Sequence, residues 1–176
     1  GRVDEVVMRV MDGLMSFPTL LLALLVLFTL GPSRVNIAAT IGFVSMPSIA
    51  RVVRSTTLSL KSMEFIQSAR LRGESTAYII FREILPNVMP VLGVEASVRM
   101  SYAILSVASL GFLGLGIQPP SPDWGLAISM GRRFLITAPW IAVAPIIAIS
   151  LLVLSLNLLS DGIRQASNMA RDEGQP

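Results

Sequence analysis

Four stretches of the chain carry no Asp, Glu, Lys or Arg: residues 13–33, 35–50, 100–122 and 134–160. A helix needs roughly 20 mostly apolar residues to cross the hydrocarbon core of a bilayer. The runs at 13–33 and 134–160 are long enough alone. The run at 35–50 becomes so if its helix extends to about Arg54, and 100–122 closes a longer apolar segment that starts near Pro86. The pattern predicts about four spans, at 17–30, 37–54, 87–111 and 140–159. A tight turn, GPSR (31–34), joins the first two, and the prolines of IQPPSPDWG (117–125) forbid a continuous helix there. Before the first span, Val3, Val6, Val7, Val10, Met11 and Leu14 share one helical face, with Asp4, Glu5, Arg9 and Asp12 on the other. Residues 1–16 therefore read as an amphipathic helix, lying at an interface or packed on a neighbouring domain.

Composition agrees with a membrane class. The chain has 176 residues, 53% hydrophobic and 14% charged, with a mean hydropathy of +0.70. With no cysteine and no histidine, disulfides, Cys/His metal sites and Ser-His or Cys-His catalysis are excluded. The +3 net charge is spread without any block of like charge, which suits membrane topology rather than nucleic-acid binding. Basic residues in alternate loops are unequal. Arg2, Arg9, Arg51, Arg54, Lys61, Arg70, Arg72, Arg82, Arg164 and Arg171 fall on one side, and Arg34, Arg132 and Arg133 on the other. That bias predicts cytoplasmic termini and a cytoplasmic 55–83 segment in a multi-pass protein. Trp124 and Trp140 then flank the opposite loop. The start at Gly1, without an initiator Met or a signal peptide, reads as a piece lacking upstream sequence.

The polar centre, FIQSARLRGESTAYIIFREILPN (65–87), interrupts this apolar chain. Ser62 can cap a short helix to about Arg72, with Glu64 in its first turn, where the helix dipole favours an acid. Gly73 stands where a left-handed C-terminal residue is wanted. A second short helix, Thr76 to Leu85, would end or kink at Pro86. Two short helices hinged at a glycine suit a rigid protrusion that transmits movement.

The residues of this segment carry a resemblance. Gln67-Ser68-Ala69, then Gly73, then Ile84-Leu85-Pro86 resemble the EAA loop of binding-protein-dependent ABC importer permeases. MRVMDGLMSFP (8–18), REILPNVMP (82–90), SLGFLGLGIQPPSPDWG (109–125) and LNLLSDGIRQA (156–166) are similar to the dipeptide, oligopeptide and nickel branch of that family. The resemblance implies an all-α polytopic transmembrane helical bundle with type I ABC importer architecture, of about six spans, so that the first two would lie upstream. It further implies a bacterial or archaeal plasma (inner) membrane and a cytoplasmic coupling loop at 57–86. Residues 17–160 would form the permease domain, and 161–176 a cytoplasmic tail. Glu64, Gln67, Ser68, Ala69, Arg70, Gly73, Glu74, Ile84, Leu85 and Pro86 would form or adjoin the contact with an ATPase subunit. The implied partners are a second permease subunit, two cytoplasmic ATPase subunits and an extracytoplasmic solute-binding protein. ATP and magnesium would sit on the ATPases, and this chain would hold no cofactor and no metal. The pattern's Glu is Gln67 here, its second Ala is Ser68, and an acid common before its Ala-x-Leu-Ser-Phe-Leu-Gly is replaced by Val107. The chain itself has no glycine-rich phosphate loop ending in Lys-Ser/Thr, so it is expected to be a transport subunit and not an enzyme.

Glu95 and Arg99 lie inside the third expected span, four residues apart and on one helix face. Charges at that depth are costly unless paired or wet. They would line a translocation pathway or lock an interface as a self-neutralised pair. The rival functions are an ATP-independent secondary transporter or channel relaying through this pair, and a scaffold whose loop merely binds a cytoplasmic protein. Outside, Asp123, Trp124, Arg132 and Arg133 could help to dock a binding protein, or anchor the loop at the interface. The small residues of SLGFLGLG (109–116) suit close helix packing or a hinge.

Overall fold

The computed structural model describes residues 1–172, with side chains described up to Gly162 and at Gln165. Among the described residues every regular element is helical: α1 (Arg2–Met15), α2 (Thr19–Leu30), α3 (Arg34–Lys61), α4 (Glu64–Leu71), α5 (Thr76–Tyr78), α6 (Leu85–Phe112), α7 (Trp124–Gly131) and α8 (Trp140–Asp172). Arg34–Lys61, Thr76–Phe112 and Trp140–Gly162 are long and apolar enough to cross a membrane.

The element expected at 17–30 is shorter than a span. The 12 residues of α2 reach only about 18 Å, against an apolar core of about 30 Å. It attains membrane length only together with α1, from which it turns by 89°. Pro18 causes the turn, because the residue before a proline is pushed out of the helical region. At the other end Ser33 accepts the Asn36 N–H at 3.1 Å, and Asn36 Nδ2 donates to the Leu30 and Gly31 carbonyls at 2.9 Å. Those bonds fold α2 back onto α3. Ala23 and Leu27 then bury against Ile37, Ile41 and Leu110 to form the main core.

α1 packs through Met11, its buried residue, and is tied to α3 by two exposed ion pairs. Arg54 Nε and Nη2 donate to the two carboxylate oxygens of Asp4 at 2.7 and 2.8 Å, and Arg51 Nη2 donates to Asp12 at 2.6 Å. The valines at 3, 6, 7 and 10 stay exposed. The Arg54 hydrogen bond holds the Asp4 carboxyl below the usual 3.8. A depressed carboxylate stabilises above its ordinary pKa and loses that contribution as pH falls through the lowered value. Spin labels at Arg2 and Ser55 should therefore keep one separation from neutral pH down to about pH 4 and move apart below it. Asp4→Asn should move them apart already at neutral pH.

α3 does not end near Arg54 but runs on to Lys61. Ser62 closes α3, its hydroxyl donating to the Ser59 carbonyl at 2.8 Å, so it does not cap α4 as expected; Met63 holds that position without a side-chain bond. Nor does a helix end at Pro86, the first of the two outcomes expected there. α5, a π-helical segment (Ile79–Ile84) and α6 form one 37-residue helix, Thr76–Phe112. A proline removes an N–H and crowds the carbonyl four residues back. Widening the preceding turn, with Leu85 N–H bonded to the Ile80 carbonyl, is one way to continue through it. Asn87 Nδ2 meanwhile donates to the Glu83 carbonyl at 2.7 Å. α8 likewise continues past 160 to Asp172, so the expected tail begins as helix. Residues 173–176 of that tail, and the side chains of Arg164 and Arg171, lie outside the described residues.

Candidate functional site

The 62–86 segment is a two-faced wedge between two long helices. α4 is eight residues long, and its Ile66 and Ala69, three apart, point the same way. Both are fully buried, with Ile79 beneath them and Phe65 and Ile84 at the sides. This small cluster fixes α4 to the start of the Thr76–Phe112 helix. At its other end Gln67 Nε2 donates to the Ser62 carbonyl at 3.1 Å, tying α4 to the end of α3.

The turn after α4 is a Schellman closure. Gly73 N–H donates to the Arg70 carbonyl at 3.0 Å and Glu74 N–H to the Ala69 carbonyl at 3.2 Å, the 5→2 and 6→1 pair that satisfies the last carbonyls of a helix. Gly73 has φ +78° with open space where a Cβ would be, so the need for glycine there is conformational and not steric. Ser75 Oγ then caps the next helix by accepting the Tyr78 N–H at 3.2 Å.

The outer face is left free. Glu64, Gln67, Ser68, Arg70 and Gly73 are exposed, as are Leu85 and Pro86, while Glu74 and Ile84 are half-buried. Ala69 is the correction within the expected contact set: fully buried, it seats α4 and cannot meet a partner. The pattern had also missed Leu71, which is 89% exposed at the tip of α4. Its neighbour Arg72 leans toward Glu74 and Glu83 at 3.7 and 3.9 Å. Beside the wedge, Lys61, Arg70, Glu74 and Thr76 rim a cleft of about 470 Å³ floored by Ile79 and Ile80.

Inside α6 the expected charge pair is formed. Arg99 Nε donates to Glu95 Oε1 at 2.6 Å, and the two side chains are 31% and 17% exposed. The Arg99 guanidinium also lies 5.9 Å from the centre of the Tyr102 ring. On the opposite side of the helix Ser101 Oγ donates to Asn157 Oδ1 at 3.0 Å, holding α6 to α8.

The residues of the expected external contact divide. Asp123 is spent on structure: its Oδ1 accepts the Leu126 N–H at 2.7 Å and so starts α7. Among the described residues it makes no ion pair with Arg132 or Arg133. Trp124 is half-exposed, Arg132 stacks on Phe112 at 5.6 Å, and Arg133 is exposed. α7 itself was not anticipated. Its signals were an Asp one residue before an apolar octet and glycines at both ends of that octet.

The family model for the binding-protein-dependent transport system inner membrane component matches residues 1–169. The chain is 42% identical over 166 residues to the glutathione transport system permease protein GsiD of Pectobacterium atrosepticum, covering 94% of this chain and 55% of that protein. The GsiD proteins of Shigella dysenteriae serotype 1 and Escherichia coli O157:H7 are 44% identical over the same length, with the same coverage. The chain thus spans about half the length of the curated relatives it matches.

Proposed function

We propose, from the premise that this chain belongs to the family of binding-protein-dependent transport system inner membrane components, that it forms the translocation part of an ATP-driven importer for peptide-type solutes such as glutathione. The relatives named above are called glutathione transport system permease proteins, and the solute class rests on that likeness. α4 would dock in a cytoplasmic ATPase subunit. The remaining partners would be a second permease subunit, a second ATPase and an extracytoplasmic binding protein. ATP and magnesium would belong to the ATPases. The excess of basic residues puts the wedge and both ends of the chain on the cytoplasmic side. α2, short as it is, and α3, the Thr76–Phe112 helix and α8 would each carry the chain across the bilayer, an even number of crossings that leaves both ends on one side, with α1 lying along the cytoplasmic surface.

One observation carries this proposal. α4 is pinned by Ile66 and Ala69 on one side and by Gln67 on another, between two helices that run unbroken for 28 and 37 residues. A push on its free face therefore moves both long helices, because a packed core does not yield locally. Gln67, Ser68, Arg70, Leu71 and Gly73 are the side available to the ATPase. With Gln67 in place of an acid, that contact would depend on shape and on the arginines.

The test is a single cysteine at Gln67 in the full-length protein, with a short bifunctional cross-linker in native membranes. Capture of the ATPase subunit, with a yield that changes with nucleotide, is the expected result. A reactive cysteine that captures no ATPase would overturn the proposal, and would leave an ATP-independent carrier built around Glu95 and Arg99.

A further inference from the structure

We infer that the Glu95–Arg99 pair, with Tyr102, is a contact point for the zwitterionic backbone of the solute inside the translocation pathway. This rests on the permease proposal above and adds the chemical class that one site in the membrane would take.

The three residues recur at i, i+4 and i+7, which is one stripe of α6. At about 1.5 Å per residue, Glu95 and Arg99 stand roughly 13 and 19 Å past Pro86, well inside a core of about 30 Å. The Arg99 side chain is 31% exposed and Glu95 17%, and Tyr102 beside them is 60% exposed. A partly open ion pair at that depth cannot face acyl chains, so it faces water or protein.

The bonding pattern favours water and solute. The pair is joined by one bond, Nε to Oε1. Among the described residues, neither Nη group of Arg99 nor Oε2 of Glu95 has a hydrogen-bond partner. Those are a forked donor and an acceptor, held side by side on one helix face. A carboxylate suits the guanidinium fork and an ammonium suits the free carboxylate oxygen, so an amino-acid or peptide backbone presents the complementary pair. Mutual neutralisation also keeps either charge from trapping a solute tightly. A transport site needs that, because occupancy must be favourable enough to enter and weak enough to leave. Tyr102 supplies a ring face against which an aliphatic side chain or a solute ammonium could rest.

The test uses the full-length transporter with its partner subunits in proteoliposomes. A cysteine at Tyr102 is treated with a small anionic methanethiosulfonate, with and without dialanine, trialanine or their C-terminal amides. Labelling that the free acids slow and the amides do not is the expected result. In competition for uptake, the free acid should be preferred about tenfold over its amide, the scale of one charge-assisted contact. Arg99→Gln should abolish that preference and Arg99→Lys should restore part of it. A merely structural pair would alter the amount of active protein without altering the ratio. No labelling in any nucleotide state, protection that ignores the carboxylate, or an unchanged ratio in Arg99→Gln would each overturn the inference. The labelling arm needs no ATP. Wild-type protein without ATP-driven uptake would count against the permease proposal, whereas ATP-driven uptake with a silent Arg99→Gln counts only against the solute contact.

Discussion

Ala69→Asp is expected to abolish ATP-driven uptake while the protein still inserts in the membrane. Ala69 is fully buried, and its shelter consists of only Ile66 and Ile79 with Phe65 and Ile84. A carboxylate there has no partner, and an uncompensated buried charge costs about 3–5 kcal/mol. So small a cluster cannot offset that, so α4 should come away from the Thr76–Phe112 helix. The long apolar helices are untouched, and that is why membrane insertion survives. Trypsin supplies the independent readout, since freed α4 would expose the Arg70 and Arg72 bonds to rapid cleavage. Ser68→Ala, one residue away on the exposed face, should stay within about 0.5 kcal/mol of wild type in stability. Full uptake by Ala69→Asp would mean that α4 transmits nothing, whatever it touches.

What the amino-acid pattern could and could not reveal follows from the range of the forces involved. The spans announce themselves because acyl chains exclude charge, so 134–160 is legible without any neighbour. Gly73 is legible for a local reason too: a helix end that must turn left-handed selects glycine. Pro18 and Pro86 send similar local signals but have different outcomes. At Pro18 the chain bends by 89°, whereas before Pro86 the helix widens into a π turn and continues. Nothing local distinguishes them, because each outcome depends on what packs nearby. α1 illustrates the longest range. Of its apolar face Met11 is buried while the valines stay exposed, and Asp4 and Asp12 on the other side find Arg54 and Arg51 on α3. Amphipathicity gives two faces, and only the partner decides which of them is covered. Ala69 makes the same point at the site, where the motif fixes spacing but not which side of α4 looks outward.

Gly125→Ala should lower the melting temperature of the full-length protein in detergent by several degrees, although it adds one methyl group. A Cβ at Gly125 would collide with the carbonyl of Ala108 and reach its Cα at 3.0 Å, and one at Gly111 would come within 2.5 Å of Asp123 Oδ1. These glycines bring α6 and the start of α7 into backbone contact, the close approach that small residues permit between membrane helices. Asp123 can cap Leu126 only in that arrangement. Forcing the helices apart costs about 1–3 kcal/mol of overpacking, and loss of the cap adds about 1 kcal/mol. At about 2–4 °C per kcal/mol for a chain of this size, the shift is easily measured. Gly93→Ala makes the contrast on the same helix, for no atom lies within 4 Å of its built Cβ. There the gain in helix propensity should leave stability equal or raise it by up to about 1 kcal/mol. A tolerated Gly125→Ala would show that α6 and α7 can part without loss. A destabilising Gly93→Ala would instead reveal a helix from the rest of the transporter seated on that side of α6.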